Sequence, residues 1–389
     1  MTLPGGFPAA EFAQRTARAQ ALMAREGLGA LLLTNEPDLR YFSGFLTRFW
    51  ESPTRPWFLI VPASGDPVAV IPSIGRELMA RTWLRDIRTW RAPDPVDDGV
   101  GLLADTLREL AGPGGRIGVP MGPGTHLRMP LQSWQALRLQ AAGLRFDDDA
   151  GIVRDLRMIK SEPEIGRIRT ACAMAGRAFA RVPEIARAGV PLEQVFRRFQ
   201  MLCLDEGADW VPYLAGAAGR GGYADVISPA GPEPLEPGDV LMLDTGLVHE
   251  GYFCDFDRNW SVGPPPAALR DAHARLIDAS RAGAEIARPG ATAADLFHAM
   301  DRIVTGGRGG SDAGRLGHGL GMQLTEGLSL IPGDRTELRA GMVLSLEPGI
   351  ATGPGRIMVH EENIAIRDGA PEFLSPPAGR DMPVLEAGA

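Results

Sequence analysis

The sequence predicts two domains, an α/β domain over residues 1–155 and an α+β domain over residues 156–389. Three observations predict this. The chain has 389 residues, too many for one ordinary core. Up to about residue 150 short apolar strands alternate with helical stretches, which implies an at least partly parallel sheet. Beyond that point the strands are expected to pair as hairpins rather than through crossovers.

In the first half, residues 11–27 have the apolar spacing of an amphipathic helix, with Phe12, Leu22 and Met23 set among Arg and Ala and a stop at Gly27. Leu28 to Thr34 predicts a buried strand, and Trp57–Pro62 and Pro67–Ile71 predict two more around a Ser-Gly-Asp turn. Ser73–Arg81, Gly99–Leu110 and Pro130–Ala142 predict helices, and Arg116–Pro120 a short strand. In the second half, Ser161 followed three residues later by Glu164 forms a capping box, with Pro163 in the first turn of a helix expected to reach about Arg187. Pro191–Glu206, Pro266–Arg288 and Thr292–Val304 predict further helices. Val240–Thr245, Tyr252–Val262, Met342–Ile350 and Ile357–Ile366 predict strands, while 212–234 and 306–317 predict a loop or irregular strand and a glycine-rich loop.

The composition excludes several classes of function. A hydrophobic content of 44% with 23% charged residues is that of a globular chain, and a net charge of −8 argues against nucleic acid or an anionic membrane as partner. Lys160 is the only lysine; that skew, with 49 Gly and 33 Pro, fits a GC-rich genome rather than a function. Cys172, Cys203 and Cys254 are too few and too scattered for a disulfide framework or a thiolate metal site, so a reducing cytoplasm is expected. No run of 18 apolar residues predicts a membrane span, and the start lacks the basic and apolar regions of a signal peptide.

Four carboxylates and one imidazole carry the chemistry: Asp244, Asp255, His318, Glu347 and Glu361. A hairpin turning at 249–250 would place Asp244 directly opposite Asp255, with Cβ atoms roughly 4.5–5.5 Å apart. Two like charges there are destabilising unless a cation lies between them, and the apolar neighbours Leu241, Leu243, Tyr252 and Phe256 predict burial. His318 stands between glycines in Gly317-His318-Gly319-Leu320-Gly321, which lets the backbone approach a bound group. Glu347 ends an apolar strand and is followed by Pro348-Gly349. Alternation puts Glu361 on one strand face with Val359 and Asn363, and His360 and Glu362 on the other, leaving open which glutamate faces inward. An oxygen-rich set with one histidine suits manganese, cobalt, iron or zinc, with manganese the first choice.

These motifs, in this order, resemble the metallopeptidase family M24, which holds methionine aminopeptidase, aminopeptidase P, prolidase and creatinase and has the pita-bread fold. Asp244-Thr245-Gly246 and Cys254-Asp255-Phe256-Asp257-Arg258-Asn259 resemble its paired-aspartate hairpin. Gly317–Gly321 resembles its histidine motif, Glu347-Pro348-Gly349 and Glu361-Glu362-Asn363 its glutamate motifs, and Lys160–Glu164 the start of its catalytic domain. Residues 1–150 more distantly resemble the creatinase-like amino-terminal domain. The resemblance implies that all five residues ligate two divalent ions, that Asp255 and Glu361 bridge them, and that Glu347 is the general base. It further implies hydrolysis of a C–N bond, of the Xaa-Pro dipeptidase or aminopeptidase P type, in a homodimer.

The pattern also departs from the family. A second histidine seven residues after the first is replaced by Thr325, and 212–234 holds no histidine, only Tyr223 and Asp225 as polar substitutes. Xaa-Pro cleavage is thereby put in question, and a creatinase- or ectoine-hydrolase-like reaction on a small amino-acid derivative is the alternative. His249 is expected at an exposed hairpin turn. Asp257, where the family has Thr or Ser, is expected to pair with Arg258 or another arginine, with added charge at the metal site as the other reading. In the first domain the aromatic, arginine-rich segment 46–57 offers Arg48 and Trp50 as substrate contacts across a dimer, against a packed loop as the other reading.

Overall fold

The structure is a computed structural model that describes residues 6–52, 55–309 and 314–388. It divides into two compact units, Met1–Arg157 and Met158–Ala389.

The first unit is built on one six-stranded sheet. Its strands are β1 (Ala30–Leu33), β2 (Phe58–Pro62), β3 (Val68–Pro72), β4 (Asp86–Trp90), β5 (Arg116–Val119) and β6 (Arg145–Asp148), in the order β4-β3-β2-β1-β5-β6. β1, β5 and β6 run parallel, as do β3 and β4, whereas β1–β2 and β2–β3 are antiparallel. Leu32, Ile60, Val70 and Ile117 on the central strands meet Leu103 and Leu107 of the helix Val100–Ala111 and Leu137 of the helix Leu131–Gln140. The first helix, Ala9–Glu26, stops at Gly27, whose φ of 66° only glycine adopts readily.

Three elements here escaped the sequence reading. The helix Glu36–Ser43 starts at Asn35, whose side chain accepts from the Asp38 amide, with Pro37 in the first turn; both are start signals. β4 and β6 are short, half-exposed edge strands without apolar alternation. In segment 46–57, Trp50 is only 8% exposed, tilted against Trp57 at 5.8 Å and lying 5.0 Å from the Arg128 guanidinium. Arg48 stays at the surface, paired with Glu51 at 2.9 Å.

The second unit opens with the helix Glu162–Ala180, its first turn fixed by the Glu164 carboxylate accepting from the Ser161 amide at 2.9 Å. It ends short of the expected Arg187, passing into a 3-10 turn over Val182–Glu184 that contains Pro183. The start of the stretch expected to be a loop or irregular strand belongs to an eleven-residue strand, β7 (Trp210–Arg220), paired with β8 (Asp239–His249) with an irregularity between Trp210 and Tyr213. β9 (Tyr252–Phe253) and β10 (Phe256–Val262) return against β8. The turn is Glu250-Gly251, with φ of 47° and 81°, and not 249–250 as expected. This is the positive-φ pair of a type I′ hairpin, which the Gly allows. Asp257, not Asp255, therefore lies directly opposite Asp244.

The remaining strands are β11 (Gly317–Gly319), β12 (Val343–Leu346), β13 (Gly349–Gly353), β14 (Arg356–Val359), β15 (Glu362–Ala365), β16 (Glu372–Phe373) and β17 (Val384–Leu385). They form a sheet ordered β11-β12-β15-β16 and a hairpin of β13 with β14, while β17 joins β10. The continuous strand expected over 357–366 is broken at His360-Glu361, where the chain leaves one sheet for the other. Leu344 and Leu346 of β12 belong to one core with Leu276 of the helix Ala267–Ile286 and Phe297 and Met300 of the helix Ala293–Val304.

Candidate metal centre

Three of the five candidate ligands, Asp255, Glu347 and Glu361, sit where a strand ends or breaks. Asp244 lies inside β8, and Asp255 occupies the gap between β9 and β10. Asp255 has left the ladder: its amide donates to Asn363 Oδ1 at 2.9 Å, and its carbonyl accepts from Ser345 Oγ at 3.1 Å. Asn363 Nδ2 donates to the same carbonyl. Asp255 nevertheless brings a carboxylate oxygen within 4.8 Å of one from Asp244. Glu361 fills the break between β14 and β15, its amide donating to Asp257 Oδ1 at 2.8 Å.

One carboxylate oxygen from each of Asp244, Asp255 and Glu361 lies within 4.8 Å of the others. His318 Nε2 is 3.1 Å from Asp255 Oδ2 and 3.6 Å from Glu347 Oε2. The five predicted residues thus converge, although the cross-strand pairing that suggested two of them was the wrong one. His318 Nδ1 lies 2.9 Å from the Gly319 carbonyl, a contact that assigns its proton to Nδ1 and leaves the Nε2 lone pair for a ligand. The flanking glycines make room for neighbouring backbone: a Cβ on Gly317 would meet the Ser345 carbonyl at 2.3 Å, and one on Gly319 the Glu326 carbonyl at 2.3 Å.

The electrostatics are those of an acid cluster without enough counter-charge. Asp244 Oδ1, Asp257 Oδ2 and Glu361 Oε2 are buried with no hydrogen-bond partner. Burial, then the charge of Asp255 and Asp257, holds the Asp244 carboxyl well above its ordinary range. Burial, then Asp244, does the same for Glu361. Burial also raises Asp255 and Glu347. At His318 burial opposes protonation, but the hydrogen bond to Asp255 and the charge of Glu347 leave it raised. Orphaned buried acceptors cost about 1–3 kcal/mol each, more when charged. A divalent cation removes that cost, so the donor set fits such an ion.

Sequence reasoning missed four contributors. Tyr213 of β7 donates a hydrogen bond to Asp244, and burial together with that carboxylate pushes its hydroxyl pKa up. Its stretch predicts only a loop or irregular strand, because Gly, Ala and Pro mask the alternation. Asn363 was noted as part of a motif, but its grip on Asp255 needs the register to be seen. His360 is buried between Asp257 at 3.4 Å and Glu362 at 3.1 Å, so Asp257 pairs through its side chain with a histidine and not with an arginine. Arg258 instead donates to Glu362 and to the Glu361 carbonyl. Arg315, from the glycine-rich loop, donates to Glu347 at 2.9 Å.

The other expected residues fall elsewhere. Thr325 is exposed and accepts from Arg315 at 3.4 Å. Tyr223 is fully buried against Asn259, and Asp225 caps a surface turn at Ile227 and Ser228, so neither substitutes for a histidine at the site. His249 is half-buried at the end of β8, paired with Tyr252 rather than exposed at the turn. Lys160 pairs with Glu326 at 2.9 Å, a buried tie between the start of this unit and the residue after Thr325.

Comparison with known proteins agrees with this geometry. The model of metallopeptidase family M24 matches residues 166–368, and that of the creatinase/prolidase N-terminal domain matches 15–159. A probable dipeptidase PepE of Mycobacterium tuberculosis is 31% identical over 94% of both chains. An Xaa-Pro dipeptidase of Lactobacillus delbrueckii subsp. lactis is 25% identical over 91% of this chain and 95% of its own. The crystal structure of dipeptidase PepE from Mycobacterium ulcerans superposes with a TM-score of 0.82 at 28% identity, covering 98% of this chain and 99% of that one. The chain therefore belongs to metallopeptidase family M24, with a creatinase/prolidase N-terminal domain, and is a metal-dependent hydrolase of the prolidase type.

Proposed function

We propose that this protein is an Xaa-Pro dipeptidase that uses two divalent ions, manganese by preference, held by Asp244, Asp255, His318, Glu347 and Glu361. The observation that carries this reading is the convergence of the Asp244, Asp255 and Glu361 carboxylates, two of them with a buried oxygen lacking any partner, with His318 and Glu347. Bound ions supply Lewis acidity and lower the pKa of an attacking water. Glu347 is the general base: its Oε1 is held by Arg315 while Oε2 faces His318, which leaves one oxygen to take the proton. The water oxygen attacks the scissile carbonyl carbon, Glu347 passes the proton to the departing nitrogen, and the C–N bond breaks. Asn363 and Tyr213 hold Asp255 and Asp244 in place.

Thr325 is exposed, 3.4 Å from the Arg315 that holds Glu347, and would offer one neutral hydroxyl to a substrate. That neutral group also favours a second reading, hydrolysis of a non-peptide C–N bond in a small amino-acid derivative. A homodimer in which the exposed Arg48 contacts substrate across the interface belongs to the same proposal, whereas Trp50 is packed within its own unit; so does a cytoplasmic location, which three free, buried cysteines suit. No described helix is long and apolar enough to cross a membrane. The test is turnover of Xaa-Pro dipeptides by manganese-loaded protein, with Asp255→Ala and His318→Ala as controls. Turnover lost in both variants supports the reading; turnover only of cyclic or guanidino amino acids replaces it with the second.

A further inference from the structure

Asp255, Glu347 and Glu361 all lie outside the strands, and their buried backbone groups still need partners. The Glu347 amide finds one in the backbone, the Leu316 carbonyl at 3.0 Å. The other two rely on side chains, and those side chains are crossed. The Glu361 amide donates to Asp257 Oδ1 at 2.8 Å, and Asp257 stands two residues beyond Asp255. The Asp255 amide donates to Asn363 Oδ1 at 2.9 Å, and Asn363 stands two residues beyond Glu361. Each ligand is thus gripped by a side chain that follows the other. The carbonyls are held in the same way: that of Asp255 accepts from Asn363 Nδ2, and that of Glu361 from Arg258 Nη1 at 3.0 Å.

Both gripping side chains are 0% exposed. Asp257 stands on β10 and Asn363 on β15, in separate sheets, so the crossed bonds tie the two sheets together at the ligands. Each accepting oxygen has a brace of its own. Cys172 Sγ donates to Asn363 Oδ1 at 3.3 Å, and His360 Nδ1 lies 3.4 Å from Asp257 Oδ1. One hydrogen bond between two segments leaves them free to hinge about it, whereas two crossed bonds set their spacing. We propose that Asp257 and Asn363 are positioning residues that form a reciprocal clamp, which fixes the separation of Asp255 and Glu361 so that both carboxylates can reach a pair of ions at once. The clamp works through its hold on the two backbones and not through the charge of Asp257. This rests on the two-ion reading above.

The test is site-resolved hydrogen exchange at the two amides, with manganese titration beside it. It uses the full chain as wild type, Asp257→Ala, Asp257→Asn and Asn363→Ala, each checked for folding by thermal melting. Asp257→Ala should speed exchange of the Glu361 amide at least about tenfold, and also speed that of Asp255, which keeps its own bond to Asn363. Asn363→Ala should show the converse. In calorimetric titration either alanine variant should bind the weaker of two manganese ions about 10–100-fold less tightly. The double variant should lose less than the product of the two single losses, since either one already frees the spacing. Asp257→Asn keeps an accepting oxygen and should stay within about threefold of wild type in both measurements. If Asp257→Asn falls as far as Asp257→Ala, Asp257 acts by its charge; if faster exchange is confined to the amide whose partner was removed, the two bonds are independent. Either result overturns the proposal. Should one alanine variant not fold, the other carries the comparison. If wild type binds no manganese, the two-ion reading fails, while exchange at the two amides still decides whether the clamp exists.

Discussion

Glu361 and Glu362 are neighbours in sequence and face opposite surroundings. In front of the His360–Asn363 segment, Glu361 joins Asp244 and Asp255 with one oxygen lacking any partner, and burial holds its carboxyl far above the ordinary range. Behind it, Glu362 accepts from Arg258, His360, Ser375 and the Ala378 amide. Burial alone would raise its pKa, but Arg258 and His360 bring it down to about 2. The chain can satisfy a buried glutamate completely when it has the partners, and it has done so one residue away. The unsatisfied front is therefore a place prepared for an outside cation, while the satisfied back is part of the fold.

That contrast can be broken by substitution. The largest effect on stability is expected from Glu362→Gln, which leaves Arg258 without its acid and His360 with Asp257 alone; removing one partner of a buried pair costs about 3–5 kcal/mol. Denaturant unfolding of the metal-free protein measures it, and a neutral outcome would erase the distinction between front and back. Next is His273, 2% exposed behind the site and 6.4 Å from His360. Burial, then the charge of His360, lowers its pKa from 6.5 to about 4. A depressed folded-state pKa means that the unfolded chain binds the proton first, so stability is full above about 6.5 and falls as the pH drops toward 4. The loss is on the order of 3 kcal/mol, and His273→Gln should flatten that part of the stability profile.

At the front, Tyr213→Phe removes the hydrogen bond to Asp244 and should weaken metal affinity about 10–100-fold with little change in metal-free stability. Calorimetric metal titration reads the first and melting the second. The smallest effect is the opposite in sign to Glu362→Gln. Glu361→Gln removes one of several crowded acids and should stabilise the metal-free chain by about 0.5–2 kcal/mol, a stability gained where function is lost.

The five candidate ligands were legible in the sequence because each stands in a short motif whose residue types have little other use: buried acids in or beside apolar strands and a histidine between glycines. Their second contacts were hidden, for physical reasons that differ from residue to residue. The hairpin register hung on one choice of turn, and placing it at 249–250 instead of Glu250-Gly251 paired Asp244 with Asp255 in place of Asp257. The strand break at His360-Glu361 is made by two sheets that meet there, which no alternation reveals. Tyr213 lies in a stretch whose Gly and Ala residues predict a loop or irregular strand, yet the strand tolerates them because β8 pairs with it continuously from Tyr213 to Arg220. Arg315 carried no local signal, since only the folded loop brings it to Glu347. In the first unit the central strands were readable as apolar runs, and the half-exposed edges β4 and β6 were not.

The most direct measurement is metal stoichiometry per chain, by elemental analysis after reconstitution with manganese and removal of excess. Two ions in the wild type, at most one in Glu361→Gln, and two in folded Glu362→Gln would agree with a front built for cations and a back built for the fold. No bound metal in the wild type, or equal loss in both glutamate variants, would contradict it.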